Sequence, residues 1–509
     1  MGNIFKPTSY QKGALAAVSA TLVWKILSFA NALLIAFYFG ATAQSDIYFY
    51  LIMLIGFGVT FMQRLNHAVL IPEAMFLAQE NQTAGRRFIT MGIYFYVLLA
   101  LVLGMVGVWG SVPLWQALSR FDKNLIVQSH ALLAWGAVLF GLQLISYYLT
   151  AVCEMFKIFK VSWLGVLNAL FPLLCLIGWG HKIGMMSMVY GFMLSHGLQA
   201  VVLLAVLKKE LHWNFAPAVV ALPKRAWRNM ATGQTLAVVE IINSLLPVYL
   251  MSAMGGGVVS ALNYCRQLTD SPTEIITSRV AAVTKIQFTE NAARREEKAF
   301  NANFLRVNHL LLIILTPLAV FSCGFAPEIV DLFFRRGNFS VAAAHDTILF
   351  LRPMLFTLIL MVPAAVQSNT IAAWCKVKES FPYSVSVSVL FAVAVAVVLP
   401  KWGAFSFPYI SIGGLLAGAC VSYFLFKKYF PFVSYLRSFA DLGRILLLNL
   451  MALVPALGLA RVLDIQSAFW MLGWCGSVFM AGYILLLWKG KDGRQFLAEI
   501  KQLENTPSA

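Results

Sequence analysis

The chain has 509 residues, of which 60% are hydrophobic and only 12% charged, with a net charge of +17. Soluble proteins carry about a quarter charged residues, so this balance excludes a soluble globular enzyme. The positive excess lies in the connections between apolar runs, where it reports topology and affinity for anionic lipid and gives no reason to propose nucleic-acid binding.

Apolar runs of roughly 20 residues, enough to cross a bilayer core as a helix, recur along the whole chain. They are continuous rather than alternating, which excludes a β-barrel. The first expected span, Ala14–Phe39, carries Lys25 too deep to reach the interface comfortably, with Asn31 six residues on. The second, Ile47–Leu70, carries Gln63, Arg64, Asn66 and His67; Arg64 and His67 share a face with Thr60, and Arg64 either lines a cavity or snorkels to the boundary. Four spans follow at Phe88–Trp109, Leu125–Val152, Val161–Trp179 and Gly184–Val206. The loop Lys208–Met230, with Pro217, Pro223, Lys224, Arg225 and Arg228, then separates six spans from eight.

Span seven, Ala231–Met254, holds Glu240 among Gln234, Asn243 and Ser244. Glu240 suits a counter-ion to Lys25 or Arg266, or equally a carrier site for sodium or a proton. Span eight, Val258–Val283, is the most polar. Asn263, Arg266, Asp270, Glu274 and Thr277 fall at three- and four-residue intervals and share one helical face, so a wet cavity wall is expected there. Arg266 and Asp270 can pair one turn apart, Pro272 is expected to kink the helix, and Arg279 lies near its end. Spans two and eight are the least hydrophobic. The last six are Leu305–Cys323, Thr347–Ala373 with Arg352 near its start, Tyr383–Leu399, Phe405–Phe426, Ile445–Val462 and Phe469–Trp488; Lys427–Gly443 reads as an interfacial stretch.

The expected fold is therefore an all-α integral membrane protein of about 14 transmembrane helices, in two six-helix lobes plus two C-terminal helices. The domains expected are residues 1–210, 211–430 and 431–509. Of the 38 Lys and Arg, seven occupy the alternate loops (Arg120, Lys123, Lys182, Arg335, Arg336, Lys401 and Arg461), five lie within spans, and the other 26 share the side of the N-terminus. The positive-inside rule then puts both termini in the cytoplasm. No cleavable signal peptide is expected, because Met1–Gly13 is short and polar.

Function must be read from the five cations inside spans, Lys25, Arg64, Arg266, Arg279 and Arg352, because a charge in hydrocarbon costs several kcal/mol. Seven scattered cysteines and seven dispersed histidines offer no zinc or disulfide pattern. No Gly-x-x-x-x-Gly-Lys-Ser/Thr is present, and no Ser–His–Asp set can be assembled, so neither a cofactor nor catalytic activity is expected. Cations on several helices suit transport of an anionic solute such as a phosphate or diphosphate. A cation-coupled drug antiporter would present an acid-dominated cavity, and a membrane polysaccharide polymerase or ligase would need a long outer loop.

Three stretches resemble the MurJ/MviN family, within the superfamily of multidrug and polysaccharide exporters. They are Ala36–Phe49 around Gly40 and Asp46, Ala261–Pro272 in span eight, and Ile329–Phe339 with its Leu-Phe-x-x-Gly-x-Phe pattern. The fourteen-span count extends the likeness over nearly the whole chain. The resemblance implies a flippase of the bacterial inner membrane. Its cargo would be an undecaprenyl-diphosphate-linked saccharide, moved from the cytoplasmic to the periplasmic leaflet by alternating access.

The expected binding residues are Lys25, Asn31, Arg64, His67, Arg266, Gln267 and Asp270, around a cavity lined by spans one, two, seven and eight, with Glu240 as coupling-ion candidate. Coupling is to membrane potential, Na+ or H+. The glycines of Gly255–Gly257 would supply the hinge, and spans thirteen and fourteen a groove for the lipid tail. Membrane lipids, and the glycosyltransferases and polymerases of the same pathway, are the expected partners. The chain departs from the family where Asn31 replaces a second basic residue in span one, where the family's paired arginines of span two are missing, and where Arg266-Gln267 replaces an Asp-Arg pair. One position turns a side chain by roughly 100° about a helix. These departures leave two cargoes in view, lipid II and an exopolysaccharide repeat.

Overall fold

The computed structural model describes residues 10–217, 224–463, 465 and 467–489, with side chains at all of these except 10–15, 224–233, 235, 236 and 271–286. Fourteen long helices carry the chain: α1 (Tyr10–Phe39), α2 (Ala43–Leu65), α3 (Gln82–Leu118), α4 (His130–Met155), α5 (Leu167–Ile183), α6 (Met186–Glu210), α7 (Lys224–Met251), α8 (Val258–Ala293), α9 (Glu297–Gly324), α10 (Val341–Ala373), α11 (Val377–Trp402), α12 (Phe407–Tyr429), α13 (Tyr435–Val462) and α14 (Ala468–Lys489). Each expected span overlaps one of them. Among the described residues there is no strand.

Twelve of these helical stretches are long and apolar enough to cross a membrane, judged on the described residues. The stretch holding α2 is among them, running on through Glu80, although the sequence marks span two as weakly apolar. The two outside this set are α7 and α8. For α7 the described apolar part is Ala237–Met251. α8 runs unbroken past position 272, and the side chains of Glu274, Thr277 and Arg279 lie outside the described residues.

The chain divides into two compact units. Unit 1 is Met1–Ser260 with Gly337–Phe339, and unit 2 is Ala261–Arg336 with Ser340–Ala509. The boundary expected after residue 210 falls earlier than this division. α7 goes with unit 1 because it packs on α2 and on the turn that follows α2.

In unit 1, α3 and α4 approach closely through small residues. A Cβ on Gly141 would come within 2.7 Å of the Ala100 side chain, the type of contact that draws membrane helices together. Between α2 and the helical stretch Ile71–Glu80 lies a π-helical turn, Asn66–Leu70, closed by Ile71 N–H donating to the Asn66 carbonyl. Its buried Asn66 accepts a 2.7 Å hydrogen bond from the Tyr96 hydroxyl of α3. Such turns insert one residue and re-aim the side chains on either side of it.

In unit 2, α9 forms the centre, packed by α10, α13 and α14. The last two helices are tied to it by polar bonds in an apolar setting. Asn308 Nδ2 donates to the Ser438 carbonyl at 3.3 Å, and the Tyr483 hydroxyl donates to the Ile313 carbonyl at 3.1 Å. The stretch Lys427–Gly443, read from sequence as interfacial, folds as the end of α12, a tight turn and the start of α13.

Candidate functional site

Arg64, near the end of α2, meets Glu240 of α7 with Nη2 2.5 Å from Oε2. Both side chains remain about half exposed, at 47% and 58%. The pair is therefore accessible rather than sealed in the packing of the helices. Glu240 thus has a counter-ion, and it is Arg64 rather than Lys25 or Arg266. Three residues beyond Arg64, the exposed His67 sits in the π turn within electrostatic reach of Glu154 on α4. Arg64 therefore meets an acid from another helix, and His67 has one within electrostatic reach.

Lys25 is half-buried on α1, its Nζ 5.0 Å from the Trp24 ring centroid. Asn31 does not join it. The Asn31 side chain is buried, and its Nδ2 donates to the Ala169 carbonyl of α5 at 2.8 Å. Six residues along a helix turn a side chain by roughly 120° net, which carries Asn31 from the face of Lys25 into the packing against α5. Its expected place among binding residues is corrected to that of a helix-to-helix tie.

On unit 2, Arg266 is half-buried in α8, with its guanidinium 5.9 Å from the Phe407 ring centroid at the start of α12. Asp270, one turn later, is exposed and interacts electrostatically with Arg266. The Thr269 hydroxyl donates to Asp270 Oδ1 at 3.1 Å. Gln267 is half-buried and lies one position round the helix. Their spacing of one turn thus brings Arg266 and Asp270 within electrostatic reach of each other. Arg352 belongs elsewhere: it lines a cavity of about 410 Å³ with Ala319, Val320, Leu355 and Leu450, between α9, α10 and α13.

The sequence alone gives no role to Asp46, yet its carboxylate accepts three hydrogen bonds across unit 1. Its buried carboxylate accepts Gly257 N–H on Oδ2 at 2.6 Å, and Ser260 N–H and Oγ–H on Oδ1 at 2.7 and 2.5 Å. Hydrogen bonds to an ionised acceptor are about twice as strong as neutral ones, which is what makes a buried carboxylate tolerable here. Gly257 adopts φ +95° beside the Ala41 carbonyl, a conformation that L side chains resist. The Gly255–Gly257 connection, expected as a hinge, is therefore clamped at its last residue.

A second tie lies beside the first. Asn338 donates from its backbone N–H to the Phe37 carbonyl at 2.9 Å, and from Nδ2 to the Tyr38 carbonyl at 2.6 Å. A Cβ on Gly40, which ends α1 at φ +61°, would collide with the Asn338 carbonyl oxygen. Two of the three stretches that carried the family resemblance thus meet at this one place. The signal was the Asp and Gly positions inside those stretches.

Replacing Asp46 by Ala would leave three donors buried without an acceptor, each at a cost of about 1–3 kcal/mol. Thermal unfolding of the detergent-purified chain should show a clear drop in melting temperature for Asp46→Ala. A smaller drop is expected for Asp46→Asn, which keeps one carbonyl oxygen. Unchanged melting of Asp46→Ala would show that this contact holds nothing.

With the geometry in hand, the likeness to known proteins can be placed. The family model described as lipid II flippase MurJ matches residues 35–473. The probable lipid II flippase MurJ of Bdellovibrio bacteriovorus is 24% identical over 393 residues, covering 71% of either chain. A solved lipid II flippase MurJ in an inward closed conformation superposes with a TM-score of 0.76 at 17% identity, over 93% of this chain and 98% of that one. An inward-facing multidrug resistance MATE family transporter of the MOP superfamily matches at 0.56 and 11% identity, over 85% and 98%. At these identities the structural likenesses show a shared fold.

Proposed function

This chain belongs to the lipid II flippase MurJ family, and from that premise we propose that it carries an undecaprenyl-diphosphate-linked saccharide from the cytoplasmic to the periplasmic leaflet by alternating access. The observation that carries the reading is the state of the cations. Lys25, Arg64, His67 and Arg266 lie half-buried or exposed on membrane helices rather than sealed in the core, as a diphosphate would require. Lipid II is the first cargo. The neutral, buried Asn31 favours a second reading, a different lipid-linked saccharide, because span one offers no second cation at that place.

Arg64 and Glu240 suggest how cargo and coupling connect. A diphosphate arriving at Arg64 competes with Glu240 for the same guanidinium, and the displaced carboxylate becomes free to take a proton or a sodium ion. Outward movement of negative charge is favoured by an inside-negative potential, by about 2.3 kcal/mol per charge per 100 mV. An antiporter for cationic drugs fits less well, since it would present an acid-dominated cavity, and here Lys25, Arg64 and Arg266 outnumber Glu240 and Asp270. The polyprenyl tail stays in the bilayer or in an apolar groove; the cavity between α9, α10 and α13, lined by Ala319, Val320, Leu355 and Leu450 with Arg352 among them, is a candidate for that groove. The saccharide would come from glycosyltransferases of the pathway and pass to its polymerases.

The direct test is flipping of lipid II, and separately of an exopolysaccharide repeat on the same lipid, by the purified chain in vesicles. Lys25→Ala and Arg266→Ala should each abolish transport while melting remains normal, and Arg266→Glu should be worse than Arg266→Ala. Full flipping by both alanine variants would end the cationic-site reading.

The orientation proposed, both termini in the cytoplasm of a bacterial inner-membrane protein, is checked by cysteine labelling of intact cells in a cysteine-depleted background. Asn338→Cys should react with an impermeant reagent and Lys209→Cys should not. Labelling at position 209 alone would invert the topology.

A further inference from the structure

The turn between α12 and α13 carries charges that the proposed transport does not use. α12 ends in Lys427 and Lys428, and the chain reverses through Phe430–Ser434 into α13, where Arg437 stands in the first turn. Lys427 and Arg437 line one cavity of about 320 Å³ together with Tyr423, Ser434 and a floor of Phe426 and Phe430. Both cations are exposed, and among the described residues neither has a carboxylate partner. Their neighbours are occupied: Lys376 bonds Glu379 at 2.8 Å, and Lys428 lies 5.1 Å from the Tyr429 ring centroid.

The base beneath these cations is firmly built. Ser434 N–H donates to Asn301 Oδ1 at 2.8 Å, and Asn301 Nδ2 returns a bond to Ser434 Oγ at 3.2 Å, pinning the turn to α9. The Tyr435 hydroxyl donates to the Ala419 carbonyl at 2.9 Å and accepts from Gln367 Nε2 at 2.8 Å. Phe426 stacks within 5.0 Å of both Phe430 and Tyr435, so the floor is fixed on three helices. The backbone that carries the two cations is thereby fixed in place, so both stand at one rigid turn.

The position selects the anion's source. Both cations stand at the ends of apolar helices, at the level of lipid headgroups, where aromatic and basic side chains collect. Beside them Phe424 and Leu436 are exposed, at 63% and 61%, and offer acyl chains a surface that a free phosphate would not use. Basic pockets between membrane helices are a recurrent means of holding anionic headgroups. We infer that the α12–α13 turn is a binding site for an anionic phospholipid, its phosphate held between Lys427 and Arg437 and its chains laid against Phe424 and Leu436. This inference needs only that the chain spans a membrane, and stands apart from the identity of any cargo.

Lipid binding to the full chain in detergent, read by native mass spectrometry, tests it with phosphatidylglycerol, phosphatidylcholine and inorganic phosphate as probes. Phosphatidylglycerol should bind more tightly than phosphatidylcholine, and Lys427→Gln with Arg437→Gln should weaken it roughly tenfold or more. The control Lys208→Gln with Lys209→Gln, on the exposed end of α6, should leave binding unchanged. The conservative pair Lys427→Arg with Arg437→Lys should retain it, which separates loss of charge from loss of fold. Equal binding of both lipids, displacement by inorganic phosphate, or full binding by the glutamine pair would overturn the site.

Discussion

An ionised side chain inside a bilayer must find an opposite charge, a set of donors or water, because hydrocarbon leaves it several kcal/mol or more out of balance. That constraint sorts the polar residues of this chain into two groups. Asp46 and Asn31 are buried, Asp46 answered by two backbone N–H groups and the Ser260 hydroxyl, and Asn31 by one backbone carbonyl. These contacts are fixed by the fold. Arg64, Glu240, Arg266 and Asp270 are answered by other side chains while remaining partly exposed. Those partners can be exchanged.

The exchange gives the paired charges a meaning beyond stability. A half-exposed ion pair is worth about 0–1 kcal/mol at most, so Arg64 and Glu240 are weakly held to one another. A diphosphate brings more charge than a single carboxylate and can replace it at low cost. His67, in the π turn beyond Arg64, lies within electrostatic reach of Glu154, so the two side chains have separate acids near them. By contrast, the ties of Asp46 and Asn338 gather the connections at one end of unit 1, and any rearrangement there must break several short hydrogen bonds together.

Apolar length made the helices legible, and every expected span meets one in the structure. Arg266 with Asp270 was legible for a similar reason, since a four-residue spacing fixes their approach within one helix. Asp46 was not, because its donors lie 211 and 214 residues away and no local pattern announces them. Asn31 owes its expected place to its match with the family's second basic position in span one, and that match does not record the packing of its side chain against α5. The pairing of Glu240 with Arg64 and the grouping of α7 with unit 1 share one cause: α7 packs on α2, a contact that no loop length or composition records.

Cargo binding to two single variants at this pair measures the exchange most directly. Removing the competing acid by Glu240→Gln should tighten binding of undecaprenyl diphosphate in a detergent titration, and removing the base by Arg64→Gln should weaken it. Opposite signs are the mark of a guanidinium shared between an acid and a diphosphate. Equal weakening by both variants, or no change in either, would contradict it.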